Sequence, residues 1–74
     1  MSSFEKYNTV IGTVIGYNSC GCYVRDEESG FVVFYFGNGT RGDRVQLTVQ
    51  KVDKEHEKVT CLLDSVLEYG QLAA

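Results

Sequence analysis

The segment from Gly21 to Phe36 constrains the fold of this chain more than any other. It holds five of the nine aromatic residues and places a short polar turn between two apolar runs. This pattern predicts two strands, Cys22–Asp26 and Gly30–Phe36. Because side chains alternate between the two faces of a strand, Tyr23 and Arg25 share one face of the first strand. Both faces of the second strand are apolar, so one can fill a core and the other must be covered or used for binding.

The choice between those two faces decides which rings are exposed. Alternation groups Phe31, Val33 and Tyr35 on one face of the second strand, and Val32, Phe34 and Phe36 on the other. We interpret the first group as the outer face. The aromatic surface predicted in this way consists of Tyr23, Phe31 and Tyr35, with Arg25 beside them.

Three further strands complete the predicted fold. A β-branched run forms the first, and its Gly12 and Gly16 indicate a bulge or sharp bend. Alternating Val and Leu residues mark the strand after the glycine-rich loop. The predicted ranges are Thr9–Tyr17, Arg44–Val52 and Val59–Leu63. For residues 64–69 the sequence also permits a helical turn, which we do not include in the prediction. Five short strands in one 74-residue domain, with a core at about residues 8–64, predict an all-β, five-stranded antiparallel barrel.

Composition and charge indicate the cellular location of the protein and the partners it is suited to bind. The three cysteines are an odd number, which argues against a disulfide framework. No apolar run approaches the roughly 20 residues of a membrane span, and the first residues lack a signal-peptide pattern. We therefore expect a cytoplasmic protein that does not bind membranes. The net charge of −3 is unusual for a protein that binds nucleic acid without sequence preference.

Three blocks of the sequence resemble a known family in its own order. They are Val10-Ile11-Gly12-Thr13-Val14, then Gly21-Cys22-Tyr23-Val24 with Gly30-Phe31-Val32, and finally Gly42-Asp43-Arg44-Val45 through Lys58-Val59-Thr60-Cys61-Leu62. Together they are similar to the S1-type RNA-binding domain, which is an OB-fold module. The resemblance implies an OB-fold barrel with Tyr23 and Phe31 on the outer face of the second and third strands, where bases stack.

The chain also departs from that family pattern. Val33 stands where a histidine is common, and Thr13 and Thr48 occupy positions that often carry basic residues. The connection at residues 37–43 is shorter than the family's, which normally includes a helical turn. These departures are compatible with the barrel but weaken the case for RNA.

The resulting hypothesis is a small binding module without catalytic activity or cofactor. Single-stranded RNA, or single-stranded DNA, would stack on the predicted aromatic face in translation or RNA metabolism. The predicted RNA-binding residues are Tyr23, Phe31, Arg25, Tyr35 and Arg44. The alternative is a protein-interaction or homodimerisation module that uses the same face, since aromatic residues are also enriched at protein interfaces.

Metal binding and catalysis have little support in the sequence. Cys20 and Cys22 are separated by one residue, whereas structural zinc sites use spacings of two to four. We interpret Cys22 and Cys61 as small hydrophobic residues and His56 as part of a solvated turn. No nucleophile and base stand at a catalytic spacing. We therefore expect neither a metal site nor enzymatic activity.

Overall fold

The computed structural model describes residues 4–70, which form a five-stranded barrel. The strands are β1 (Thr9–Tyr17), β2 (Gly21–Asp26), β3 (Val32–Phe36), β4 (Arg44–Asp53) and β5 (Lys58–Glu68). They close in the order β1-β2-β3-β5-β4. All neighbouring pairs are antiparallel except β3 and β5, which run parallel. The all-β, OB-like barrel predicted from the sequence is confirmed, with one parallel seam.

Inward-facing hydrophobic side chains from all five strands fill the barrel. Its buried hydrophobic residues are Val10, Val14, Cys22, Val24, Val33, Tyr35, Val45, Leu47, Val49, Val59 and Cys61. The predicted alternation of Val45, Leu47 and Val49 is confirmed, since all three are fully buried. Phe4 and Val66 pack against this core from outside the predicted limits of 8–64. Within residues 4–70, no helix is long and apolar enough to cross a membrane.

A short loop between β3 and β4 packs against core side chains of the barrel. The Tyr35 hydroxyl donates to the carbonyl oxygen of Asn38 at 3.0 Å. The buried Asp43 carboxylate accepts from the backbone N–H of Thr40 at 3.0 Å and of Gly70 at 2.5 Å. Asp43 therefore ties the segment just after β5 to this loop.

The last strand is longer than the sequence predicts. β5 continues to Glu68, so the helical turn left open at residues 64–69 does not form. Pairing with β4 continues as far as Arg44 and Glu68, with register shifts that mark bulges in this half of the strand. These bulges let β5 follow the curvature of the barrel.

β1 closes the barrel because it pairs on both sides. Gly12 lies opposite Asp26 of β2 and also opposite Val45 of β4. A Cβ atom at Gly12 would overlap the carbonyl oxygen of Arg25 and lie 2.8 Å from a methyl carbon of Val24. The predicted irregularity near Gly16 is also present, because the β1–β2 register shifts between Val14 and Gly16.

We expect Gly12→Ala to lower the free energy of unfolding by about 1–3 kcal/mol, because overpacking forces the backbone of β2 to move. Gly16→Ala is the matched control, since a Cβ atom there meets nothing within 4 Å. Urea denaturation measures both. Equal stabilities for the two variants would show that β1 and β2 do not approach closely at Gly12.

Candidate nucleic-acid interface

Three aromatic rings are in contact on the outer face of β2 and β3. The ring centroids of Tyr23 and Phe34 are 5.0 Å apart with an interplanar angle of 60°, and those of Phe34 and Phe36 are 5.1 Å apart at 87°. Both contacts have the edge-to-face geometry that aromatic pairs favour. Tyr23 is 40% exposed and Phe36 64%, with the half-buried Phe34 between them. We call Tyr23, Phe34 and Phe36 the aromatic cluster.

Strand pairing explains why these rings face outward. Cys22 lies opposite Tyr35 and both are buried, so their neighbours Tyr23 and Phe34, which also pair, point to the other side of the sheet. Gly21 leaves room for the Phe34 ring, because a Cβ atom at Gly21 would lie 2.7 Å from its Cζ. The cluster is therefore positioned by the core side chains behind it.

The β1–β2 turn holds the exposed edge of Tyr23. The Asn18 side-chain Nδ2 donates to the Tyr23 hydroxyl at 3.2 Å. The same side chain accepts, through Oδ1, from the backbone N–H groups of Cys20 and Gly21 at 2.7 and 3.0 Å. On its β1 side, Tyr23 faces Gly16, where a Cβ atom would meet open space. The neighbour of Tyr23 on that side therefore has no side chain.

The outer face of β1, β2 and β3 carries little charge. Arg25 and Asp26 are the charged residues in these three strands. Asp26 is buried, and its carboxylate accepts from the backbone N–H and the hydroxyl of Ser29 at 3.0 and 2.7 Å. Arg25 is exposed two residues from Tyr23. The exposed acidic residues that give the chain its negative net charge therefore lie outside the outer face of these three strands.

Arg44, a predicted site residue, is engaged elsewhere. Its guanidinium makes a bidentate ion pair with Glu27, at 2.5 and 3.1 Å. The hydrogen bond from Arg44 is the main cause that lowers the pKa of the Glu27 carboxyl below its ordinary value of 4.5; a smaller opposing effect of desolvation and a still smaller attraction by the Arg44 charge accompany it. The structure therefore does not bring Arg44 to the aromatic cluster as a free cation.

We expect this ion pair to give a small stability dependence at acidic pH. Because the Glu27 pKa is lower in the folded than in the unfolded state, the ionised pair stabilises above the ordinary pKa of 4.5 and is lost as pH falls through the folded-state value. Urea denaturation of the wild type and Glu27→Gln should differ slightly at pH 7 and converge at lower pH. A difference that grows on acidification would contradict this assignment.

The predicted exposure of Tyr35 is wrong. Its relative exposure is 0%, and burial raises the pKa of its phenol above the usual range. A fully buried ring in the barrel interior is not accessible to a base. Tyr35 is a core residue, and its hydroxyl is satisfied by the β3–β4 loop.

A one-residue difference at the β2–β3 turn accounts for this error. A strand that began at Gly30 would pair Gly30 with Asp26 and place Tyr23 opposite Val33. In the structure the Asp26 N–H donates to the Phe31 carbonyl at 2.8 Å, and Gly30 belongs to the turn with a φ of 76°. β3 therefore begins at Val32. A slip of one residue moves every side chain of a strand to the opposite face.

Phe31 lies just before β3 and away from the aromatic cluster. It is half-buried, and its ring centroid is 5.5 Å from that of Phe4, at an interplanar angle of 46°. Both rings pack against the core. Phe31 therefore joins the N-terminal segment to the barrel, while Tyr23 and Arg25 occupy the outer face as predicted.

The prediction did not place Phe34 and Phe36 on the outer face, where Phe36 is exposed and Phe34 half-buried. The strand that pairs with β3 indicates which β3 residues face outward. In this strand, β2, the small apolar residues Cys22 and Val24 take the inner face. A four-residue turn between β2 and β3 then sets Tyr23 opposite Phe34. The two glutamates, serine and glycine of that turn fit this length as well as a three-residue one.

The cysteines and the histidine do not converge. Cys20 is exposed, Cys22 and Cys61 are buried, and all three are free thiols. Burial, with a smaller effect of Asp64, raises the pKa of Cys61 to about 11, so this thiol is protonated at neutral pH. The exposed His56 contacts Asp53, with 2.9 Å between Nδ1 and Oδ2. Within residues 4–70, no three His, Cys, Asp or Glu side chains are grouped to hold a metal ion.

Comparisons with known proteins do not identify a family or a function for this chain. No protein-family model matches this chain, and a search of curated proteins finds no match to it. The resemblance to the S1-type RNA-binding domain therefore stays a prediction.

Proposed function

We propose that this protein binds single-stranded nucleic acid, with RNA as the first candidate, by stacking bases on the aromatic cluster. The observation that carries the proposal is the contact of three rings on the outer face of β2 and β3 in an OB-like barrel. OB-folds bind oligonucleotides on the face of their second and third strands.

The geometry of the cluster favours a short ligand. Tyr23 and Phe36 are exposed, while Phe34 supports both through its edge-to-face contacts. Two exposed rings suit about two stacked bases, each worth about 1–3 kcal/mol. Because every base has an aromatic face, binding of this kind tolerates different sequences.

Electrostatics should contribute less than stacking. Arg25 is the exposed cation within β1, β2 and β3, and it lies on the outer face with Tyr23. Arg44 is neutralised by Glu27. We therefore expect few phosphate contacts and a shallow dependence of the affinity on salt, about 0.7 units of log K per unit of log salt for each phosphate neutralised.

A salt titration of a fluorescently labelled single-stranded RNA tests the proposal. We expect Arg25→Gln to weaken binding at low salt and to reduce the slope of log K against log salt by about 0.7, because one phosphate contact is lost. Arg44→Gln is the matched control and should leave the slope unchanged. Fluorescence anisotropy measures both quantities.

Two results would contradict the proposal. The first is no binding by the wild type at low salt, where phosphate contacts are strongest. The second is a concentration-dependent increase in sedimentation coefficient that is lost in Phe36→Ala, since the exposed ring would then be covered by a second copy of the chain.

A further inference from the structure

We infer that Asn18 fixes the Tyr23 hydroxyl as a hydrogen-bond donor toward the ligand, so that the aromatic cluster selects a hydrogen-bond acceptor beside a stacked base. Asn18 is thus a positioning residue in the β1–β2 turn, and Tyr23 is the residue that contacts the ligand. The choice of ligand group rests on the proposed function, whereas the link between Asn18 and Tyr23 does not.

The backbone of the turn decides how the Asn18 amide is oriented. The N–H groups of Cys20 and Gly21 both point at one atom of the amide, at 2.7 and 3.0 Å. Only the oxygen can accept two N–H donors, because the amide nitrogen has no acceptor capacity. The backbone N–H of Asn18 also donates to the Gly21 carbonyl at 2.9 Å, and this bond closes the turn. The amide oxygen is therefore committed to the turn, and the NH₂ group faces Tyr23.

This orientation determines the role of the Tyr23 hydroxyl. An NH₂ group is a donor only, so the hydroxyl oxygen must accept in the 3.2 Å contact. A phenol has one O–H donor of its own, and that proton is free to point away from Asn18. Within residues 4–70, the hydroxyl has no other hydrogen-bonding side chain or backbone group. Its proton is therefore available to a bound molecule.

Contact with Phe34 keeps this donor in one place. The Tyr23 ring packs against Phe34 at 5.0 Å on one side, while Asn18 holds its hydroxyl. A ring fixed at both ends loses little conformational freedom when a ligand binds. When a base stacks beside Tyr23, the Tyr23 hydroxyl donates a hydrogen bond to an acceptor of the ligand. This acceptor is either a phosphodiester oxygen or a carbonyl oxygen of the base itself.

Asn18→Asp tests the direction of this hydrogen bond. The aspartate side chain keeps an oxygen for the N–H groups of Cys20 and Gly21, but its second oxygen accepts from the Tyr23 hydroxyl and so turns the hydroxyl proton inward. Ser19→Asp adds the same charge one residue away without touching Tyr23. We expect Asn18→Asp to weaken binding of a short single-stranded oligonucleotide roughly 5-fold more than Ser19→Asp does.

A double substitution separates the hydrogen bond from the added charge. In the Tyr23→Phe background the hydroxyl is absent, so Asn18→Asp should weaken binding no more than Ser19→Asp. The inference about the ligand is overturned if Asn18→Asp and Ser19→Asp have equal effects in the background that retains Tyr23. It is also overturned if Tyr23→Phe binds as tightly as the wild type.

Two oligonucleotides distinguish the sources of the acceptor. Thymine accepts through carbonyl oxygens and adenine through ring nitrogens at different positions, while both strands carry the same phosphodiester groups. A loss of affinity on Tyr23→Phe that is equal for oligo(dT) and oligo(dA) assigns the acceptor to the phosphate. A loss confined to oligo(dT) assigns it to the base.

A ligand-free measurement keeps the Asn18–Tyr23 link testable if no oligonucleotide binds. The carbon resonance of Tyr23 Cζ responds to whether the hydroxyl donates or accepts. We expect it to move in Asn18→Asp and to stay in place in Ser19→Asp. If wild-type binding is absent but the resonance moves, the proposed function fails and the positioning role stands. If the resonance does not move, the positioning role itself is wrong.

Discussion

We expect Tyr35→Ala to lower the free energy of unfolding by about 3–5 kcal/mol, as is typical when a buried aromatic side chain is truncated. Tyr35 is fully buried among the core residues of the barrel. A domain of 74 residues has little stability to spare, of order 5 kcal/mol. The variant should therefore be largely unfolded at room temperature, as measured by circular dichroism and urea denaturation.

Tyr35→Phe is the control that keeps the ring in the core. It removes the hydrogen bond to the Asn38 carbonyl, so the expected cost is about 1 kcal/mol. A folded Tyr35→Ala protein with an unchanged denaturation midpoint would contradict the burial of this ring and restore the original interpretation of the β3 faces.

We expect Phe34→Ala to weaken oligonucleotide binding by about 10- to 100-fold while the protein stays folded. Phe34 is the central ring of the aromatic cluster and contacts both exposed rings. Its loss removes the edge-to-face contacts that hold both Tyr23 and Phe36 in position, which should cost about one base-stacking contribution of 1–3 kcal/mol. Fluorescence anisotropy with a short single-stranded RNA measures the change.

Phe31→Ala is the matched control for Phe34→Ala. It removes the same side chain from a position that packs on Phe4 and the core instead of joining the cluster. We expect reduced stability with little change in affinity. If the two variants lost affinity equally at matched folded fractions, the aromatic cluster would not be the binding surface.

The positions of the strands along the chain follow from residue patterns that are visible in the sequence. The β-branched run at Thr9–Tyr17 coincides with β1, and the alternation from Arg44 coincides with β4 through its buried valines and leucine. Glycines and polar residues mark the connections. In β4 the apolar residues can be buried only by one choice of face, so local pattern and barrel closure agree there. β1 has apolar residues on both faces, and barrel closure buries Val10 and Val14 more completely than Ile11 and Ile15.

The two errors concern the faces of β3 and the C-terminal end of β5, and both arise where the local residue pattern does not determine the structure. β3 is apolar on both faces, so its register depends on the length of the turn after Asp26, which alternation within the strand does not report. The C-terminal half of β5 has apolar residues at Leu62, Leu63, Val66 and Leu67, a spacing that suits a helix better than a strand. Bulged pairing with β4 overrides that local preference.

Ligand-induced chemical-shift changes test the central claim most directly. A nitrogen–proton and aromatic carbon–proton spectrum of the wild-type protein would be recorded while a short single-stranded RNA is added at low salt. We expect the largest changes at the rings of Tyr23 and Phe36 and at the amides of β2 and β3. Tyr35, buried behind the sheet, should change less. An unchanged spectrum, or changes confined to β5, would contradict the account.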